Sequence, residues 1–323
     1  MAISESVLQI NRDGSSSRDK GDSYCKRKGK GVDMLYRFVK IVSAIICVLP
    51  KNVRRGLGKV LGIICWQIVP VKRKTMAIQN IINSLSVDES QATFIAKQST
   101  TRFGNMFLQV LCMPKINKNN IKDYVTLDHP EYLTEALSYG KGVVLATSHS
   151  GNWELGGAAL ALHGFPLACV AQKQTNAQMD KFINEYRAMS GMTVIYKTGV
   201  RDMIKLLGEG QIIGILMDQD AHSDGVMVEF FGRLASTPQG AAALARLKGA
   251  PIVTTFITEN KDGSNTAILH PPVWVEKTSN RDQDILVTTQ QLTTIIEQHI
   301  RKYPHEWFWL HNRWKSSPPI IKS

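Results

Sequence analysis

The chain has 323 residues, 43% of them hydrophobic and 20% charged, and a formal net charge of +12 from 39 Lys/Arg and 27 Asp/Glu. That is enough for one large domain or two modest ones with a real core, and it excludes a secreted mini-protein, a coiled coil and a disordered chain. Cys25, Cys47, Cys65, Cys112 and Cys169 show no CxxC spacing, which argues against a disulfide framework or a zinc site and fits a reducing compartment.

In chain order, residues 1–33 are polar, with seven basic and five acidic side chains, and read as a disordered tail rather than a signal peptide. Residues 34–75 hold nine basic residues (Arg37, Lys40, Lys51, Arg54, Arg55, Lys59, Lys72, Arg73 and Lys74) and no acid. Nine of the twelve excess charges therefore lie in one short segment. Its apolar stretches, Ile41–Pro50 and Val60–Val71, are too short for the roughly 20 residues of a spanning helix. Flanked by Lys/Arg, they read as helices lying in a membrane interface. A packed helical hairpin with a solvated basic face and a single spanning helix are the alternatives. Nucleic-acid binding would instead need basic residues interleaved with exposed aromatics over a sheet, so no nucleic-acid partner is expected.

Helical periodicity continues through residues 76–113, with Asp88 and Gln91 as an N-terminal cap. The chain thus divides into a tail (1–33), a helical basic region (34–113) and an α/β catalytic domain (114–323). In that domain, apolar runs at 142–147, 167–171, 193–196, 211–217 and 251–258 read as strands. Between them 178–189, 201–207 and 238–247 read as helices, and 285–303 as a late helix. This alternation predicts a mixed, largely parallel sheet flanked by helices.

The sharpest motif runs from Thr147 to Gly157, with His149 and Glu154 five apart after a predicted strand and before a predicted helix. Ligands bind at such strand ends in open α/β sheets. His149 can act as a general base, and Glu154 is expected to curl back and orient it. A substrate hydroxyl would then replace the serine of a triad. Backbone N–H groups around Ser150 and Gly151, next to Asn152, are the expected oxyanion donors. Arg187 could fork a phosphate, and Asp218 and Asp220 end an apolar strand beside His149. Ser236–Gly240 reads as a helix cap, and Trp307, Trp309 and Trp314 as packing residues. The other histidines are assigned no chemistry.

These blocks resemble the lysophospholipid acyltransferase superfamily in its HxxxxE branch, which includes the lipid A lauroyl and myristoyl acyltransferases. The resemblance is carried by His149–Glu154, the Phe182–Arg187 block, the Gly214–Asp220 stretch, Ala250–Val253 and the Trp309–Lys315 ending. It covers roughly residues 35–315 and implies an acyltransferase-like fold. It further implies transfer of a fatty acyl chain from an acyl carrier protein or coenzyme A thioester to a lipid hydroxyl, with no resident cofactor and no metal. Arg187 would contact the acceptor's phosphate, with Asp218, Asp220, Ser150, Gly151 and Asn152 lining the substrate. A lipid A precursor is the first expected acceptor; a phosphatidylinositol mannoside, an ornithine-type lipid and a plain lysophospholipid are the others. The place implied is the cytoplasmic face of a bacterial inner membrane. A non-catalytic peripheral membrane protein is the alternative from another class.

Overall fold

The computed structural model describes residues 21–318, with side chains from Met34 onward. The chain opens with four helices: α1 (Gly21–Val48), α2 (Lys51–Ile68), α3 (Val71–Leu85) and α4 (Glu89–Leu111). Pro50 and Pro70 stand at the breaks between the first three, because the residue before a proline is pushed out of helical geometry. The Asp88 side chain accepts from the Gln91 N–H (2.8 Å), the cap read from sequence. The boundary expected at 33/34 falls inside α1, while residues 1–20 lie outside the described residues.

Helix α2 crosses α4 with backbones nearly touching. A Cβ on Gly62 would fall 1.8 Å from the Thr101 carbonyl oxygen, and one on Gly104 would fall 2.0 Å from that of Gly58. Only glycine permits this approach. Helix α1 docks through Lys40, which pairs with Glu185 at 2.7 Å, and through Ser43, whose hydroxyl donates to the Leu111 carbonyl at 2.6 Å.

The rest is built on a sheet. Its strands are β1 (Val125–Asp128), β2 (Val143–Thr147), β3 (Leu167–Ala171), β4 (Thr193–Tyr196), β5 (Ile212–Leu216), β8 (Ile252–Glu259) and β9 (Asn265–Leu269), in the order β1-β9-β8-β2-β5-β3-β4. A separate hairpin joins β6 (Val226–Phe230) to β7 (Arg233–Thr237). Every pairing in the large sheet is parallel except β8 with β9. Helices α5 (Glu131–Ser138), α6 (Trp153–Leu162), α7 (Ala177–Met189), α8 (Val200–Gly208), α9 (Gly240–Lys248) and α10 (Arg281–Lys302) complete the chain. Central β2 alternates between two cores: Val144 and Ala146 join one cluster, Val143 and Leu145 the other. A sheet buried on both faces needs continuous apolar strands, which is why these runs were legible.

The mixed, largely parallel sheet agrees with the sequence reading. Strands β1, β6, β7 and β9 were not anticipated. The β6–β7 turn is Phe231-Gly232, both at positive φ, where sequence readers look for Asn-Gly. Cys47, Cys65, Cys112 and Cys169 are free thiols; the Cys25 side chain lies outside the described residues. Helix α9 starts at Gly240 without a side-chain cap, so the expected capping by Ser236–Gly240 is not made. Ser236 instead sits in β7 and donates to the His222 carbonyl.

Candidate active site

Strands β2 and β5 are parallel neighbours, with Thr147 level with Leu216. Two residues beyond each stand His149 and Asp218, so the register itself sets them side by side. The Asp218 carboxylate receives the His149 ring Nδ1 at 2.7 Å on one oxygen and the His149 backbone N–H at 2.9 Å on the other. The Trp307 indole N–H donates to that second oxygen at 2.7 Å. Asp218 is buried and His149 partly open, their side chains 2% and 19% exposed.

Burial alone would pull the His149 pKa down, but the charge and hydrogen bond of Asp218 outweigh it and hold the imidazole above its ordinary value. Burial pushes Asp218 the other way, yet His149, Trp307 and the backbone N–H keep its carboxyl below the usual range. Asp218 therefore stays ionised and fixes the proton on Nδ1. In the neutral imidazole this leaves the lone pair on Nε2, which lies 3.4 Å from the Gln219 amide nitrogen. Trp153 packs edge-on against the imidazole.

Glu154, expected to orient His149, does not touch it. It lies in the first turn of α6, where it accepts two hydrogen bonds from Arg187 of α7, from Nε at 2.9 Å and Nη2 at 2.6 Å. Arg187 Nη1 donates to the Asn184 side chain at 3.2 Å. The reason is positional. His149 sits in the loop, and the chain turns at Gly151 (φ 59°) before the helix starts, which carries Glu154 onto a different face. Arg187, expected to fork a phosphate, forks Glu154 instead. Burial opposes its charge, and Glu154 more than restores it, raising its pKa.

Of the expected oxyanion donors, the Gly151 N–H is engaged: it donates to the Glu306 carbonyl at 3.0 Å. Ser150 is buried, and its hydroxyl accepts from that of Ser148. Asn152 caps α6 through the Leu155 N–H and donates to Gln109 at 2.8 Å. Asp220 is held by the C-terminal segment: its carboxylate accepts from Ser316 at 2.8 Å and lies 2.9 Å from His222 Nδ1, while its N–H donates to His311 at 2.9 Å. Trp309 and Trp314 pack, as read from sequence. Trp307 packs too, but its bond to Asp218 makes it part of the site.

A cavity of about 80 Å³ lies between α6 and the sheet. Trp153, Glu154 and Arg187 line it with Gly157, Met192 and Gly214. Its lining is mostly apolar apart from Glu154, Arg187, Thr147 and Thr255, and it adjoins the loop that carries His149.

Comparison with known proteins supplies the context. The chain is 28% identical to the phosphatidylinositol mannoside acyltransferase of Mycobacterium tuberculosis, over 82% of this chain and 77% of that protein. It is 26% identical to the Mycolicibacterium smegmatis enzyme of the same name, over 68% and 72%. It is likewise 26% identical to the lipid A biosynthesis lauroyltransferase of Escherichia coli, over 60% and 62%. Residues 28–316 match the family described as bacterial lipid A biosynthesis acyltransferase, and the chain belongs to that family and is an acyltransferase.

Proposed function

We propose that this protein is a membrane-associated O-acyltransferase that moves a fatty acyl chain from a thioester to a hydroxyl of a glycolipid, with His149 as base and Asp218 as its orienting acid. The observation that carries the reading is the pairing of His149 with Asp218 across parallel strand ends, with Nε2 left as an acceptor. The acceptor O–H gives its proton to Nε2 while its oxygen attacks the thioester carbonyl. The developing imidazolium is stabilised by Asp218. The tetrahedral intermediate collapses by breaking the C–S bond, and the departing thiolate takes the proton back from His149. Transfer is direct, with no acyl-enzyme. Because the Gly151 N–H is engaged, the Gln219 amide, 3.4 Å from the reacting nitrogen, is the donor we assign there. It is placed to donate to the oxygen that displaces it.

The donor is an acyl carrier protein or coenzyme A thioester. Relatives named for lipid A and for phosphatidylinositol mannosides support a glycolipid acceptor, and a lipid A precursor is the first to test. The place of action is the cytoplasmic face of a bacterial inner membrane, reached through α1 and α2. Met34, Phe38, Ile41, Ile45 and Val48 form an exposed stripe on α1, and Val53, Leu57, Val60, Ile64 and Ile68 form another on α2. Among the described residues no helix is long and apolar enough to cross a membrane.

The test is mass spectrometry of membrane lipids from cells with the parent gene and with His149→Ala. One glycolipid that carries an extra acyl chain only in the parent is the expected result. Unchanged lipid profiles, or full acylation by the variant, would overturn the reading.

A further inference from the structure

Arg187 lies against Glu154 and Asn184, so the cation expected on the acceptor's phosphate already has partners. A second group of cations, none of them hydrogen-bonded to a carboxylate, gathers elsewhere. At the start of α2, Lys51, Arg54 and Arg55 line a cavity of about 300 Å³ between α2, α4 and the turn joining β8 to β9. The Arg54 guanidinium donates to the Cys112 thiol at 3.1 Å. That of Arg55 donates to the carbonyls of Asp262 and Lys261 at 3.1 and 3.4 Å. All three acceptors are neutral, so neither guanidinium is forked by a carboxylate, although Glu259 in the same lining faces the charge of Arg55.

The rest of the lining narrows the ligand. Leu108, Ile116 and Leu155 give an apolar floor, while Asp123 and Glu259 supply carboxylates and Asn120 an amide. Carboxylates repel a bare anion but accept from hydroxyls, so cations and acids in one cavity suit a molecule that carries both phosphate and hydroxyls. The exposed apolar stripe of α2 begins at Val53 and Leu57, among the same residues. A head in the cavity would let hydrocarbon run along that stripe. The wall also reaches the catalytic loop: Gln109, in the lining, accepts from Asn152, three residues after His149. The Gly62–Gly104 contact holds this wall in place.

We propose that this cavity binds the phosphorylated polyol headgroup of the acceptor glycolipid, with the phosphate on Lys51, Arg54 and Arg55 and the hydroxyls on Asp123 and Glu259. The proposal rests on the acyltransferase reading above for the word acceptor, but its test does not use the reaction. Full-length His149→Ala protein is the background. Binding is measured to phosphatidylcholine vesicles with and without phosphatidylinositol, and to soluble inositol 1-phosphate through the thermal midpoint. Lys51→Gln/Arg55→Gln is compared with Lys72→Gln/Lys74→Gln, which removes the same charge outside the cavity.

The expected result is that phosphatidylinositol-dependent binding weakens at least roughly tenfold for the cavity pair and far less for the control pair. Inositol 1-phosphate should raise the midpoint of the background protein and of the control pair but not of the cavity pair. Equal losses from the two pairs would overturn the proposal, because surface charge alone would explain them. Protection by coenzyme A and none by inositol 1-phosphate would also overturn it, placing the donor in the cavity. If the lipid profiles of the preceding section failed instead, the binding result would still stand as that of a headgroup site.

Discussion

At the scale of single residues, the site turns on which carboxylate serves His149. The sequence offers Glu154, five residues on, because proximity along the chain is all that a sequence displays. The partner is Asp218, 69 residues away and brought level by strand register. Trp307, read as packing, donates to the same carboxylate. Replacing Trp307 by Phe keeps the ring and removes that donor, so kcat should fall roughly tenfold with a smaller change in KM. An unchanged kcat would reduce Trp307 to packing. Glu154 has a separate task. Its pair with Arg187 is about five-sixths buried, and Glu154→Gln would leave the guanidinium short of its counter-charge. Stability should drop by about 2–3 kcal/mol, somewhat below the usual loss for a fully buried pair. The Glu154→Gln/Arg187→Gln double variant should lose less than the sum of its singles. Denaturant unfolding of the four proteins checks this, and additivity would deny the coupling.

At the scale of elements, legibility followed burial. Strands β2, β3, β5 and β8 lie inside the sheet and read as unbroken apolar runs, while the edge strand β4 is legible only through its Val194-Ile195-Tyr196 run. Strands β1 and β9 are no shorter than several legible ones but carry polar residues such as Thr126, Asn265 and Thr266, which a sequence assigns to loops. The order β8-β2-β5-β3 was not legible either, because crossovers bring together strands far apart in the chain, and with them His149 and Asp218. Helices α1 and α2 were foreseen as apolar and basic, and the structure sorts their faces. Ten apolar side chains point outward in two stripes, while Lys40, Arg54 and Arg55 are engaged with the protein. Burying these half-exposed side chains in lipid is worth about 1 kcal/mol each, and each remaining cation near an anionic leaflet about the same. In the proposed membrane attachment the stripes should therefore contribute most. Ile64→Glu should release the protein from vesicles more effectively than Lys72→Gln/Lys74→Gln, and high salt should detach the parent only partly. Complete release by salt in a flotation assay would give the charge the larger share.

At the scale of the whole molecule, the +12 charge has two addresses. Part of it faces outward with the apolar stripes of α1 and α2, and part lines the cavity between α2, α4 and the β8–β9 turn. The C-terminal segment closes the other side. Trp307 holds Asp218, His311 and Ser316 hold Asp220, and buried Arg313, pushed down to about 10, donates to the Ser236 carbonyl. A base presented at this closed edge must be neutral to accept a proton. With His149 as the proposed base, activity should rise with pH through its raised pKa, and losing the Asp218 charge, with burial unchanged, should move that limb to lower pH. The decisive measurement is the pH–rate profile of acyl transfer for the parent, Asp218→Asn and Glu154→Gln. Asp218→Asn should lower kcat by roughly 10²- to 10⁴-fold and shift the acid limb downward, while Glu154→Gln costs less and leaves the limb nearly in place. A limb that moves with Glu154→Gln and stays put with Asp218→Asn would contradict the assignment of Asp218 as the residue that drives His149.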